Sequence, residues 1–111
     1  MTICALEASL LYSDLAADAD LAELVDLFVC ELPSRLRELE LAISQGDLEL
    51  VRCLAHQLKG AGGSYGFPAL GPPAGELEQA ARRCESTPLL VMALEDLAAV
   101  GSRVRAGLPT H

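Results

Sequence analysis

Between residues 20 and 46, apolar side chains recur at helical spacing: Leu21, Leu24, Val25, Phe28, Leu32, Leu36, Leu39 and Ile43, with charged residues between them. That period predicts one long amphipathic helix. Asp20, followed by Glu23 three residues on, is placed to cap it, and Gly46 to end it. Pro33 falls inside the run; it lacks an N–H and crowds the preceding turn, so a kink or a break into two collinear pieces is expected there. A second stripe, Leu48, Val51, Leu54, Ala55 and Leu58, follows Asp47 as cap. A third, Leu70, Ala74, Leu77, Ala81 and Cys84, contains Pro72 and Pro73, which predict a short turn and then a helix starting near the prolines. The last stripe is Leu90, Leu94, Leu97 and Val104, with Thr87 as cap, Pro88 at the first helical position, and Gly107 and Pro109 as the stop.

Amphipathic helices joined by connections this short must turn back on one another to bury their stripes. The expected fold is all-α: an antiparallel four-helix bundle, up-down-up-down, with a short additional N-terminal helix carrying Ile3, Leu6 and Leu10 inward. We divide the chain into an N-terminal segment, 1–17, the bundle, 18–107, and a tail, 108–111.

Composition narrows the function. The chain has 111 residues, enough for one core, and no Trp and few other aromatics, so that core is built from Leu, Val and Ala. Eight Lys and Arg against sixteen Asp and Glu give a net charge of -8, which argues against a nucleic-acid or anionic-membrane surface as partner. No apolar run approaches the roughly 20 residues of a membrane span, and MTICALEAS lacks a basic leader. A cytoplasmic, free-standing protein is expected. Cys4, Cys30, Cys53 and Cys84 are widely spaced without a CxxC pair, and three of them sit in helical apolar patterns, so reduced, buried structural thiols are expected.

Residues 55–66, AHQLKGAGGSYG, carry the chemistry. A glycine within a helix costs roughly 1 kcal/mol relative to alanine, so Gly60, Gly62, Gly63 and Gly66 require a reason. Either the helix stops, or something approaches closely. At about 100° per residue, the line through Arg52, His56, Lys59, Gly60 and Gly63 points away from the apolar stripe, which puts His56 on the solvent side. Lys59 and Gly60 are its neighbours one turn on. An imidazole nitrogen can attack phosphorus, a lysine offsets the charge on phosphoryl oxygens, and a glycine leaves room for a second protein.

AHQLKGAGGSYGFPAL with the later LEQAAR resembles the histidine-containing phosphotransfer (HPt) domain family, whose pattern is roughly AHxLKGxxxxxG followed by an LE-containing helix. The resemblance extends over about residues 18–105 and implies a four-helix bundle that takes a phosphoryl group from a receiver-domain aspartyl phosphate and passes it to another receiver. By that resemblance His56 is the phosphoacceptor, Lys59 the partner of the phosphoryl oxygens, and Gly60 the clearance position. Gly66 matches the glycine that closes the motif, Ser64 is placed to add a hydrogen bond, and Arg52 and Gly63 lie on the same face. Glu78 falls where relatives hold the other ring nitrogen and fix the tautomer. Relatives usually run helix straight through the region of GPPAG, so Pro72, Pro73 and Gly75 bear on where Glu78 lands.

The sequence KGAGGSYG has its lysine before the glycines and fails the GxxxxGK[ST] nucleotide-binding pattern, so no kinase activity is expected. The protein needs no cofactor of its own; Mg²⁺ is expected on the partner receiver of a response regulator or hybrid kinase, and the protein itself as a monomer. The competing reading is a helical interaction module that keeps the fold without the chemistry. Cys53 and His56, three residues apart, lack the further ligands or orienting groups of a metal or thiol site. Tyr65 and Phe67 are expected to pack at the end of the bundle, and Arg82 and Arg83 to be solvated surface charges.

Overall fold

A computed structural model describes residues 10–107. A short strand β1 (Leu11–Tyr12) precedes four α-helices, α1 (Ala19–Ser44), α2 (Leu48–Ser64), α3 (Gly71–Arg82) and α4 (Thr87–Gly101). A 3₁₀ turn (Pro68–Leu70) leads into α3, and strand β2 (Val104–Arg105) follows α4. Each helix packs on the next, and α4 returns to α1, so the four enclose a single core. Phe28, Leu32 and Leu39 of α1, Val51 and Leu58 of α2, Leu77 of α3 and Leu90 and Leu97 of α4 fill it. Phe67 and the half-buried Tyr65 stack on Phe28, with ring centroids at 5.7 and 5.3 Å, so both aromatics pack at the end of the bundle as expected.

Local chemistry explains most of the boundaries. Asp18, one turn-edge earlier than Asp20, caps α1: its Oδ1 accepts the Asp20 N–H at 2.9 Å. Asp47 caps α2 through Leu50 N–H at 3.1 Å. Helices α1, α2 and α3 end alike, with a 6→1 hydrogen bond around a left-handed residue. Those bonds are Asp47 N to Ala42 O, Phe67 N to Gly62 O, and Glu85 N to Ala80 O, at 3.0, 2.7 and 3.0 Å. The left-handed residues are Gly46, Gly66 and, unexpectedly, Cys84 with φ 54°.

Several expectations are corrected. The first helix is not broken at Pro33: α1 runs unbroken for 26 residues with Pro33 exposed. Burial of Leu32 before the proline and Leu39 after it holds both halves on the same core, which outweighs the loss of one backbone hydrogen bond. The stripe includes one residue too many, since Leu24 is 45% exposed. The last helix ends at Gly101 rather than Gly107, and its cap position is Ser86 rather than Thr87. At that end the Ser102 hydroxyl donates to Ala99 O at 2.7 Å, a side-chain bond of the kind that competes with helix continuation. Val104 is buried all the same, in β2, which pairs in parallel with β1 in the register Leu11 to Val104 and Tyr12 to Arg105. Residues 10–17 therefore form a strand and turns rather than a helix, and Leu10 is exposed; Ile3 and Leu6 lie outside the described residues. Cys30 and Cys84 are exposed and Cys53 half-buried, so these three are not core residues; Cys4 lies outside the described residues.

Candidate functional site

The glycines do not stop α2. Gly60, Gly62 and Gly63 all lie within it, and only Gly66, beyond its end, takes a positive φ of 85°. A Cβ at Gly62 would come within 3.0 Å of Leu70 Cβ, so this glycine lets the 3₁₀ turn close against α2. A Cβ at Gly60 or Gly63 would meet nothing within 4 Å. These two glycines serve no packing need within the described residues.

His56 stands one turn before this smooth stretch, flanked on the inner side by the buried Ala55 and Leu58, and its side chain is 67% exposed. Its Nδ1 lies 3.1 Å from Oε2 of Glu78 on α3. Pro72 and Pro73 sit in the first turn of α3, where a missing N–H costs no helical bond. The GPPAG stretch thus starts a helix, and Glu78 arrives two turns into it. Its side chain is only 5% exposed. Arg82, one turn further along α3, donates to the same oxygen at 3.4 Å.

Burial pushes the Glu78 carboxyl upward, but the hydrogen bond and charge of His56 and those of Arg82 outweigh it, and the net displacement is downward. The carboxylate is therefore ionised near neutral pH and can only accept hydrogen bonds. Nδ1 must then carry the proton donated to Glu78, which leaves the lone pair on Nε2. The arrangement offers an exposed imidazole of fixed tautomer whose nucleophilic nitrogen faces away from its buried partner.

A family model described as the Hpt domain matches residues 23–107 of the 111-residue chain. The chain belongs to the Hpt domain family. No curated protein and no solved structure matches it. Hpt domains are phosphocarrier modules, not kinases; they serve histidine phosphotransfer in phosphorelays and interact with receiver domains of response regulators and kinases. No helix among the described residues is long and apolar enough to cross a membrane.

The remaining expected residues of this Hpt domain fall into two groups. Lys59 is exposed on the His56 face and makes no ion pair among the described residues; its stem and Nζ run alongside Gly75 of α3, 3.8 Å from where a Cβ would be. Gly60, Gly63 and Ser64 are exposed on the same helix, with no hydrogen bond from the Ser64 side chain to the described residues. Arg52 is turned away from His56 onto Glu49, in a two-point contact that raises its own pKa and lowers that of Glu49 through hydrogen bonding and charge. Gly66 is not on the exposed face at all. A Cβ there would overlap Ser13 Oγ and come within 2.8 Å of Asp14 N, because the segment after β1 is strapped across it. Asp14 N donates to Gly66 O at 2.8 Å, and the Ser13 hydroxyl donates to Tyr65 O.

Arg82, read from sequence as a solvated charge, belongs to the site through Glu78. Its spacing of four residues from Glu78 on one helix was the available signal. Cys53 lies against Arg52 and Glu49, and no cluster of three or more His, Cys, Asp or Glu among the described residues could hold a metal ion.

Proposed function

We propose that this Hpt domain accepts a phosphoryl group from the aspartyl phosphate of one receiver domain on Nε2 of His56 and passes it to the aspartate of another. The reading rests on a single observation: an exposed imidazole whose Nδ1 is held by a buried, ionised carboxylate. In the forward step the Nε2 lone pair forms an N–P bond as the acyl-phosphate O–P bond breaks and the receiver carboxylate leaves with the electron pair. Nδ1 keeps its proton, so positive charge develops on the ring, and Glu78 is placed to stabilise it. Arg82 keeps Glu78 in its ionised form and in place. Lys59, with no ion pair among the described residues, offsets the charge on the phosphoryl oxygens, while Gly60 and Gly63 leave the receiver room to bring its aspartate into line. In the return step the acceptor carboxylate attacks phosphorus and the N–P electron pair returns to the ring.

The same reading takes the bundle, residues 18–107, as antiparallel and up-down: Gly62 faces Leu70 while His56 faces Glu78, so α2 and α3 run in opposite directions. It has the domain work as a cytoplasmic monomer, without kinase activity, beside receivers that supply Mg²⁺. Transfer from a receiver domain carrying radioactive phosphate tests it. Acid-labile, base-stable label on the wild type and none on His56→Gln is expected. Equal labelling of the variant, or no label on the wild type from a broad panel of receivers, overturns the proposal in favour of an interaction module without phosphotransfer.

A further inference from the structure

Helix α4, TPLLVMALEDLAAVG, is apolar around most of its circumference, a composition suited to a helix covered on all sides. Only Leu90 and Leu97 are buried; Leu89, Val91 and Met92 are exposed, Met92 by 59%. Leu89 and Met92 lie on the flank towards α3, whereas Val91 lies on the other flank, where α4 and α1 form a groove of about 250 Å³ floored by Leu36, Ile43, Val91, Leu94 and Ala98. Its α1 wall runs the eight residues from Leu36 to Ile43, a rise of about 10 Å or two helical turns. Glu40 and Glu95 stand at its rim, and neither makes an ion pair among the described residues. The one cation on the rim, Arg37, is hydrogen-bonded to Ser34 at 3.2 Å.

We propose that this groove is a docking site for a short amphipathic helix with a basic edge, supplied by a second protein. Two apolar side chains one or two turns apart would fill the floor, and Lys or Arg beside them would pair with Glu40 and Glu95. Residues 1–9 and 108–111 contain no Lys or Arg, so neither segment offers the basic edge. A second copy is disfavoured by its own net charge of -8. The position also has a functional consequence. Both α2 and α4 pack on α1 and α3, so the groove lies across the bundle from the α2–α3 seam that holds His56. A protein seated there would tether the domain and leave the histidine open to receivers.

A fluorescein-labelled Leu/Lys amphipathic helix of about four turns is the probe, with a Leu/Glu helix of the same pattern as control. The full chain is expected to bind the Leu/Lys helix with an affinity that falls as salt rises, and to shift amide resonances at Leu36, Ile43, Leu94 and Ala98 but not at His56. The exposed double charge swap Glu40→Lys with Glu95→Lys should weaken Leu/Lys binding about tenfold and confer binding of the Leu/Glu helix. Ala98→Arg, which blocks the floor, should abolish both. Shifts spread over the acidic surface, unchanged affinity in the charge swap, or concentration-dependent self-association through this face in sedimentation would each overturn the proposal. None of these readings depends on phosphorylation of His56.

Discussion

Gly60, one turn after His56 on the exposed face of α2, is a position at which stability and function can be separated. Its Cβ position is open, it lies inside an exposed helical turn, and its φ is not positive. Gly60→Ala therefore removes the unfolded-state freedom of glycine at no steric cost, worth about 0.5–1 kcal/mol in favour of the fold. For a domain of this size that corresponds to a rise of roughly 2–5 °C in Tm. If the open space is kept for a docking receiver, the added methyl opposes the approach, and Gly60→Gln opposes it more. The expected result is a pair of variants with folding stability at or above wild type by urea titration, and with phosphotransfer from a receiver reduced in the order Ala then Gln. Gly62→Ala is the internal control. There the Cβ lies 3.0 Å from Leu70 Cβ, so an overpacking penalty of about 1–3 kcal/mol competes with the same propensity gain, and no net stabilisation is expected. A destabilised Gly60→Ala would refute the geometric reasoning. A stabilised Gly60→Gln that transfers at the wild-type rate would refute the assignment of clearance.

Three further outcomes are expected. Gly66→Ala combines a left-handed backbone with overlap onto Ser13 and Asp14, so strain and the lost strap bonds should cost about 2–4 kcal/mol; a urea midpoint near wild type, with amides of residues 11–15 still protected from exchange, would contradict this. Cys84→Gly relieves a left-handed non-glycine at an exposed helix end and should stabilise by about 0.5–1 kcal/mol in the same titration; a loss of stability would mean that the thiol has a partner in solution. The Glu78 carboxyl is displaced below its ordinary value of 4.5, so its contribution is present above that pH and is lost as pH falls through the lowered folded-state value. Plots of unfolding midpoint against pH for wild type and Glu78→Gln should thus converge on the acid side of about pH 4.5, and parallel curves would remove the carboxylate from the site.

The helices and their punctuation were written locally. Apolar spacing, Asp47, Pro88 and Gly46 act within a few residues of themselves, so periodicity and cap chemistry located the four helices, and the exposed face of His56 with Lys59 and Gly60 followed from helical geometry alone. Features made by residues distant in sequence were not legible in that way. The resemblance to the Hpt family pointed to Glu78, but only the packing of α3 on α2 brings its carboxylate, 22 positions away, to Nδ1 and adds Arg82 behind it. The strap across Gly66 joins residues 52 apart, and it packs the glycine that closes the motif against Ser13 and Asp14. Pro33 and Val104 show the same cause in reverse. Local preference argued for a break at one and a helix at the other, and burial against a shared core decided both, because area removed from water outweighs the roughly 1 kcal/mol preferences of single residues.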